Sequence, residues 1–295
     1  MGTELTSIRF CLPRTDDLVC TVGCHPTRSS EFEKHPKGPA GYLADLTGVL
    51  QANARTSSNP KGKAVAIGEC GLDYDRLHFA PAHTQKEHFA SQLSLAVQFR
   101  LPLFLHSRAA ADDFADIIRP WTVEISKALG AGVGLPPALP AELEEQHGSG
   151  SPALRVGVVH SHTGSIEEMK QLVEMGFFLS INGCGLKTQE NLEVVKALPL
   201  DRLLLETDCP WCEPRPSHAS SGVIKKFQEL HPELAPLYSP PAVKHEKHSR
   251  DKMVKGRNEP CTIGNIAGAI ARLKGVDVYT LAEICERNTR WLFQI

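Results

Sequence analysis

Six short apolar runs recur along this chain, and each of them ends on polar residues. They read LVCTVGCHP, AVAIGECGLD, LPLFLHSR, VGVVHSHTG, FFLSINGC and RLLLETDCP. Such near-continuous apolar stretches mark parallel strands covered on both faces. Helical patterns lie between them. HTQKEHFASQLSLAVQFR sets Phe89, Leu93, Ala96 and Val97 on one stripe, and SIEEMKQLVEMG opens on Ser165 as N-cap and closes on Gly176. QENLEVVKAL and the C-terminal TLAEICERNTRWLFQ predict two further helices. Strand and helix in alternation predict an α/β fold with right-handed crossovers.

The ends of the runs narrow the choice further. They carry His25, Glu69 with Asp73, His106 with Arg108, His160 with His162, Asn182, and Glu206 with Asp208. One histidine at one strand end is most often a satisfied structural group. Six coincident ends argue for a (β/α) barrel, where all strand C-termini converge on one mouth and chemistry is placed there. AVAIGECGLDYD poses the sharpest question, because a buried strand here delivers two carboxylates and two glycines. A lone buried carboxylate is costly to ionise, and a cation is one answer.

Composition bounds the function. The 295 residues suffice for one large domain, taken as spanning 1–295, and the formal charge of −2 excludes a wholesale basic surface. Binding of phosphates must therefore be local. No secretory signal and no membrane-length apolar run is visible, so an intracellular place, cytoplasmic, nuclear or both, is expected. Met1, Gly2 and Thr6 fit a loose N-myristoylation pattern that is read as chance. Nine scattered cysteines read as reduced thiols, and the isolated Cys209-Pro210-Trp211-Cys212 as strand-end packing. Residues 130–153, rich in Gly, Pro and Ala, read as a flexible insertion. Residues 213–260 read as a long loop region whose cationic run, Lys244 to Arg257, either contacts a phosphate backbone or is a solvated loop.

Glu69, His106, His160 and Asp208 form a mixed carboxylate and imidazole set on four runs. Such donors suit Zn²⁺, Mn²⁺ or Mg²⁺, and a carboxylate can bridge two ions. Two divalent cations close together promote hydrolysis of a phosphodiester. Asp208 binds metal and orients or deprotonates the attacking water. His25 and Arg108 are then free to hold a phosphate, or Arg108 pairs with a neighbouring acid.

TVGCHPTR, AIGECGLDYDR, LPLFLHSR, VVHSHTG, INGCGLKTQENLEVVKALP, LLLETDCPWC and RNEP occur in this order and resemble the TatD family of metal-dependent deoxyribonucleases, from about His25 to the C-terminus. The resemblance implies a TIM-type barrel of the amidohydrolase-like kind and a metal-dependent phosphodiesterase acting on DNA, single-stranded DNA included. It also implies 3′-to-5′ exonuclease action, and endonuclease action in some relatives; the sequence itself shows no membrane span and no evident obligate protein partner. It makes Glu69, His106, His160 and Asp208 metal ligands, with His25 and Asp73 beside them. His162 departs from the pattern, standing where an aromatic residue is usual. About two dozen residues precede His25, fewer than the pattern needs, so an incomplete barrel of six strands is expected, with a helix over the N-terminal segment. Two other readings follow from the same residues: an inactive relative, or a hydrolase of cyclic amides.

Overall fold

The computed structural model describes residues 18–130, 137–150 and 154–295. The expected N-terminal helix and the myristoylation pattern lie outside these residues. The six apolar runs form six strands: β1 Cys20–Val22, β2 Ala64–Asp73, β3 Leu103–Arg108, β4 Gly157–Val159, β5 Phe178–Ile181 and β6 Leu203–Leu205. They pair in that order in one sheet, every pair parallel. This is the alternating barrel architecture that the sequence predicts, with six strands in this sheet among the described residues.

The helices stand where periodicity places them. Ala82–Phe99 buries Phe89, Leu93 and Ala96, and Val97 packs against the same core. Ser165 caps Ile166–Glu174, its side chain accepting from the Glu168 amide, and Gly176 leaves that helix with φ +90°. Gln189–Ala197 carries a capping box between Thr188 and Asn191. Among the described residues no helix is long and apolar enough to cross a membrane.

Two segments hold more structure than their composition suggests. Within 130–153, Ala141–His147 is helical, while 131–136 and 151–153 lie outside the described residues. Residues 213–260 are not a plain loop. Ser221–Leu230 is an amphipathic helix that buries Phe227, Ala235–Tyr238 is a further turn of helix, and the short strands β7 Ala242–Val243 and β8 Met253–Val254 pair beyond it. Frequent prolines hide these short elements by resetting the pattern every few residues.

The two faces of the sheet divide the labour. Leu103, Leu105, Val159, Leu179 and Leu203 belong to the large core that includes the surrounding helices. On the other face Val158, Phe178 and Leu204 cluster with Phe104 and with Trp291, Leu292 and Phe293 at the end of the last helix. Because side chains alternate along a strand, two residues beyond this apolar layer come His106, His160, Ser180 and Glu206. The apolar floor therefore sets the polar rim.

Candidate metal centre

Glu69 reaches that rim through an irregularity. Gly68 pairs with Phe104 and Cys70 with Leu105, so Glu69 is an extra residue on β2. A bulge of this kind shifts the alternation by one and re-aims a side chain. Beyond it Gly71 pairs with His106 and Asp73 with Arg108, so Glu69 and Asp73 both share the face of His106. The two glycines are what the turn of phase requires. Gly68 and Gly71 have φ of 138° and 140°, and a Cβ on either would lie 2.0 Å from a carbonyl oxygen of β3. Only glycine serves at such positions.

Around Glu69 three imidazoles converge. Its Oε1 lies 2.7 Å from His160 Nε2, 2.9 Å from His106 Nδ1 and 3.3 Å from His25 Nε2. His25, Glu69 and His106 each offer a ligand atom within 4.8 Å of the others. The far nitrogens face carboxylates: His106 Nε2 is 3.4 Å from Asp73 Oδ2, and His160 Nδ1 is 3.5 Å from Glu206 Oε2. Glu206 is itself held by the Ser180 hydroxyl and by Asn182 Nδ2 at 2.7 Å. Carboxylates behind histidines orient the rings and raise their basicity, a common arrangement behind metal ligands.

Electrostatics follow the geometry. Burial would raise the Glu69 carboxyl, but hydrogen bonds from His106, His160 and His25 outweigh it and hold it well below the ordinary range. Burial would lower His160, and its bonds with Glu206 and Glu69 instead push it well above the usual imidazole value. His106 is raised against its own burial by Asp73 and Glu69. Asp73 is held low by His106 despite burial. The cluster thus alternates anions and cations. Asp73 Oδ1 and His106 Nε2 are buried without a hydrogen-bond partner. A divalent cation that displaced the imidazole protons would find nitrogen and carboxylate oxygen donors at this spacing, which fits such an ion.

The remaining predicted residues stand differently. Asp208 occupies the end of β6 with φ +50°, a left-handed conformation that Asp tolerates better than most residues. It feels the charges of Glu206, His160 and Glu69, and burial raises its carboxyl. Its Oδ2 accepts from the Cys212 thiol at 3.2 Å, and Cys212 lies 2.9 Å from the Cys184 sulfur, whose pKa this bond lowers to about 7. Cys184, Cys209 and Cys212 are free thiols. Arg108 points to the outer rim, its Nε donating to Asp75 at 2.7 Å and its Nη1 to Thr163 at 2.7 Å. The neighbouring-acid alternative therefore describes its resting contacts. His162 is buried with Nε2 unpartnered, and burial drives its pKa down to about 4, so it stands as a neutral ring apart from the cluster.

Sequence reading passed over two glutamines that fix the strand ends. Gln92 accepts from the Cys24 amide at 2.6 Å, next to His25, and Gln85 accepts from the Asp73 amide at 2.7 Å and donates to its carbonyl at 2.9 Å. Both are fully buried on the Ala82–Phe99 helix. A polar stripe at 85, 88 and 92, in helical spacing within an otherwise core-facing side, was the signal available.

A parallel α/β barrel that gathers imidazoles and carboxylates at the carboxyl ends of its strands defines a hydrolase of the amidohydrolase-like class. Within that class, the chain belongs to the TatD related DNase family, whose model matches residues 6–294. Deoxyribonuclease Tat-D of Schizosaccharomyces pombe is 43% identical over 272 residues, which is 92% of this chain and 73% of the relative. Deoxyribonuclease Tat-D of Saccharomyces cerevisiae is 37% identical over 322 residues, covering 94% and 74%. The crystal structure of an uncharacterized amidohydrolase from Saccharomyces cerevisiae matches with TM-score 0.80 at 31% identity, covering 98% of this chain and 85% of that one. A TatD family hydrolase from Entamoeba histolytica follows at TM-score 0.73 and 28% identity, covering 98% and 79%.

Proposed function

We propose that this chain is a divalent-metal-dependent phosphodiesterase that hydrolyses DNA from the 3′ end, with single strands as the substrate form. The observation that carries this reading is the convergence of His25, His106 and His160 on one oxygen of Glu69, within 2.7 to 3.3 Å, at the barrel mouth. Membership of a DNase family and the names of relatives, among them a 3′-5′ ssDNA/RNA exonuclease TatD at 31% identity, support the substrate class.

In this reading His25, Glu69, His106, His160 and Asp208 are the residues that would hold divalent cations; Mg²⁺, Mn²⁺ and Zn²⁺ all suit these donors. Bound cations supply Lewis acidity toward a phosphoryl oxygen and acidify water near neutral pH. The protein does the rest by placement. Asp208, with its carboxyl raised by burial, is the stronger base for the proton of the attacking water. Asp73 and Glu206 keep the His106 and His160 rings turned toward Glu69. Arg108, steadied by Asp75 and Thr163, presents its remaining donors to a non-bridging phosphate oxygen. We place this activity inside the cell, where free thiols persist.

Incubating the purified protein with a 5′-labelled single-stranded oligonucleotide tests the reading. A ladder shortened from the 3′ end is expected with Mg²⁺ or Mn²⁺ and lost in chelator. No cleavage with any of the three metals, while dihydroorotate or a related cyclic amide is opened, would replace it with the amide-hydrolase reading.

A further inference from the structure

Trp211 is 71% exposed, the most exposed of the described large apolar side chains. It follows Asp208 by three residues, and its amide donates to the Asp208 carbonyl at 2.9 Å. No described aromatic ring stacks on it. An indole so exposed contributes little packing among the described residues, yet its loop is tightly held. Asn258, itself buried, donates its amide to the Pro210 carbonyl at 3.0 Å and its Nδ2 to the Thr207 carbonyl at 2.9 Å. The same Asn258 closes the cationic segment. Residues 244–257 carry six lysines and arginines against two acids, in a chain whose formal charge is −2. Among the described residues none of these six cations is in an ion pair. Between that segment and the Asp208 loop lies a groove of about 700 Å³, lined by Pro210, His245, His248, Arg257 and one acid, Glu259, among others.

From this juxtaposition we propose that Trp211 is a stacking platform for one unpaired nucleobase, and that the adjoining groove takes the flanking phosphodiester backbone. The inference rests on the nuclease reading and adds to it a subsite. A free base offers a π face to the indole, whereas a paired base in a duplex is stacked on its neighbours, so the platform favours single strands. The positive excess of the 244–257 segment along the groove, six cations against Glu246 and Asp251 with Glu259 beyond, selects a polyanion over an apolar or acidic protein surface.

Binding measured in chelator, by polarisation of labelled oligonucleotides, separates this subsite from catalysis. Trp211→Ala should weaken binding of oligothymidylate about 10-fold, and Trp211→Phe, which keeps a ring, by no more than about 3-fold. On an abasic oligomer of the same length, wild type and Trp211→Ala should bind equally, because no base remains to stack. Arg257→Ala should weaken both oligomers and flatten the dependence of affinity on salt. With metal restored, Trp211→Ala should raise KM and leave kcat nearly unchanged. Equal binding of oligothymidylate by wild type and Trp211→Ala, or equal losses on the normal and the abasic oligomer, would overturn the platform. So would a wild type that binds neither oligomer. A wild type that binds as described but never cleaves would overturn the nuclease reading and leave the subsite standing.

Discussion

Glu69→Gln removes the one negative charge on which three imidazoles converge while keeping the side chain's shape. A hydrogen bond to a charged group contributes about 1.5–3 kcal/mol. Three such bonds share a single oxygen, so they do not add. The Glu69 side chain also keeps 29% exposure, which screens the interaction. A net loss of about 2–3 kcal/mol follows, or roughly 3–5 °C in Tm for a chain of this size. The pH dependence is the stricter test. His106 and His160 are raised above 6.5 in the fold, so their contribution is complete below that value and fades as pH rises through the folded values. Glu69 is lowered below 4.5, so its contribution is present above that value and fades as pH falls through its folded value. The gap between wild type and Glu69→Gln should therefore be widest at about pH 6 and narrow on both sides. Thermal melts in chelator across that range read it, and histidine titration by NMR should show His160 falling toward its ordinary value in the variant. A gap that is absent, or flat with pH, would refute the picture of a charge-alternating cluster.

Three further outcomes are expected. Asp208→Asn should keep the fold, since Asn also tolerates the left-handed backbone at φ +50°, and should cut metal-dependent cleavage by about 100-fold or more, measured as turnover beside an unchanged circular dichroism spectrum. Gly71→Ala would push a Cβ to 2.0 Å from the His106 carbonyl oxygen at φ 140°, and should destabilise by about 3 kcal/mol or more, seen as lost soluble yield or a steep drop in Tm. Gln92→Ala leaves the buried Cys24 amide without its acceptor and should cost about 1–3 kcal/mol in a denaturant titration.

Much of this architecture is legible in the chain because parallel strands buried on both faces must read as continuous apolar runs. Their polar ends then announce the mouth. Glu69, His106 and His160 could be grouped on that basis, and the structure does bring them together. What escaped the sequence depends on phase and reach. The bulge that turns Glu69 onto the His106 face is a backbone register, and the glycines beside it hint at it without saying which residue is extra. His25 reads in the sequence as a phosphate holder, yet it lies 3.3 Å from Glu69, because β1 and β2 are neighbours in a ladder whose stagger no local pattern encodes. Arg108 was read first as a free phosphate fork, whereas Asp75 and Thr163 from neighbouring strand ends occupy part of it. The helices of 213–260 are hidden for a simpler reason: Ala235–Tyr238 is too short to establish a period, and Ser221–Leu230 is set among prolines that break the pattern on both sides.

The extra residue in β2 separates two kinds of inheritance. Where the acidic group is delivered depends on Gly68, Gly71 and the slipped register, none of which takes part in any reaction, while what is delivered depends on one codon. Descendants of such a chain can try new chemistry at the mouth by a single replacement of Glu69, with the address left intact. Moving the address would demand concerted change along a whole strand and its neighbour, so the position of the centre should outlast its present occupation.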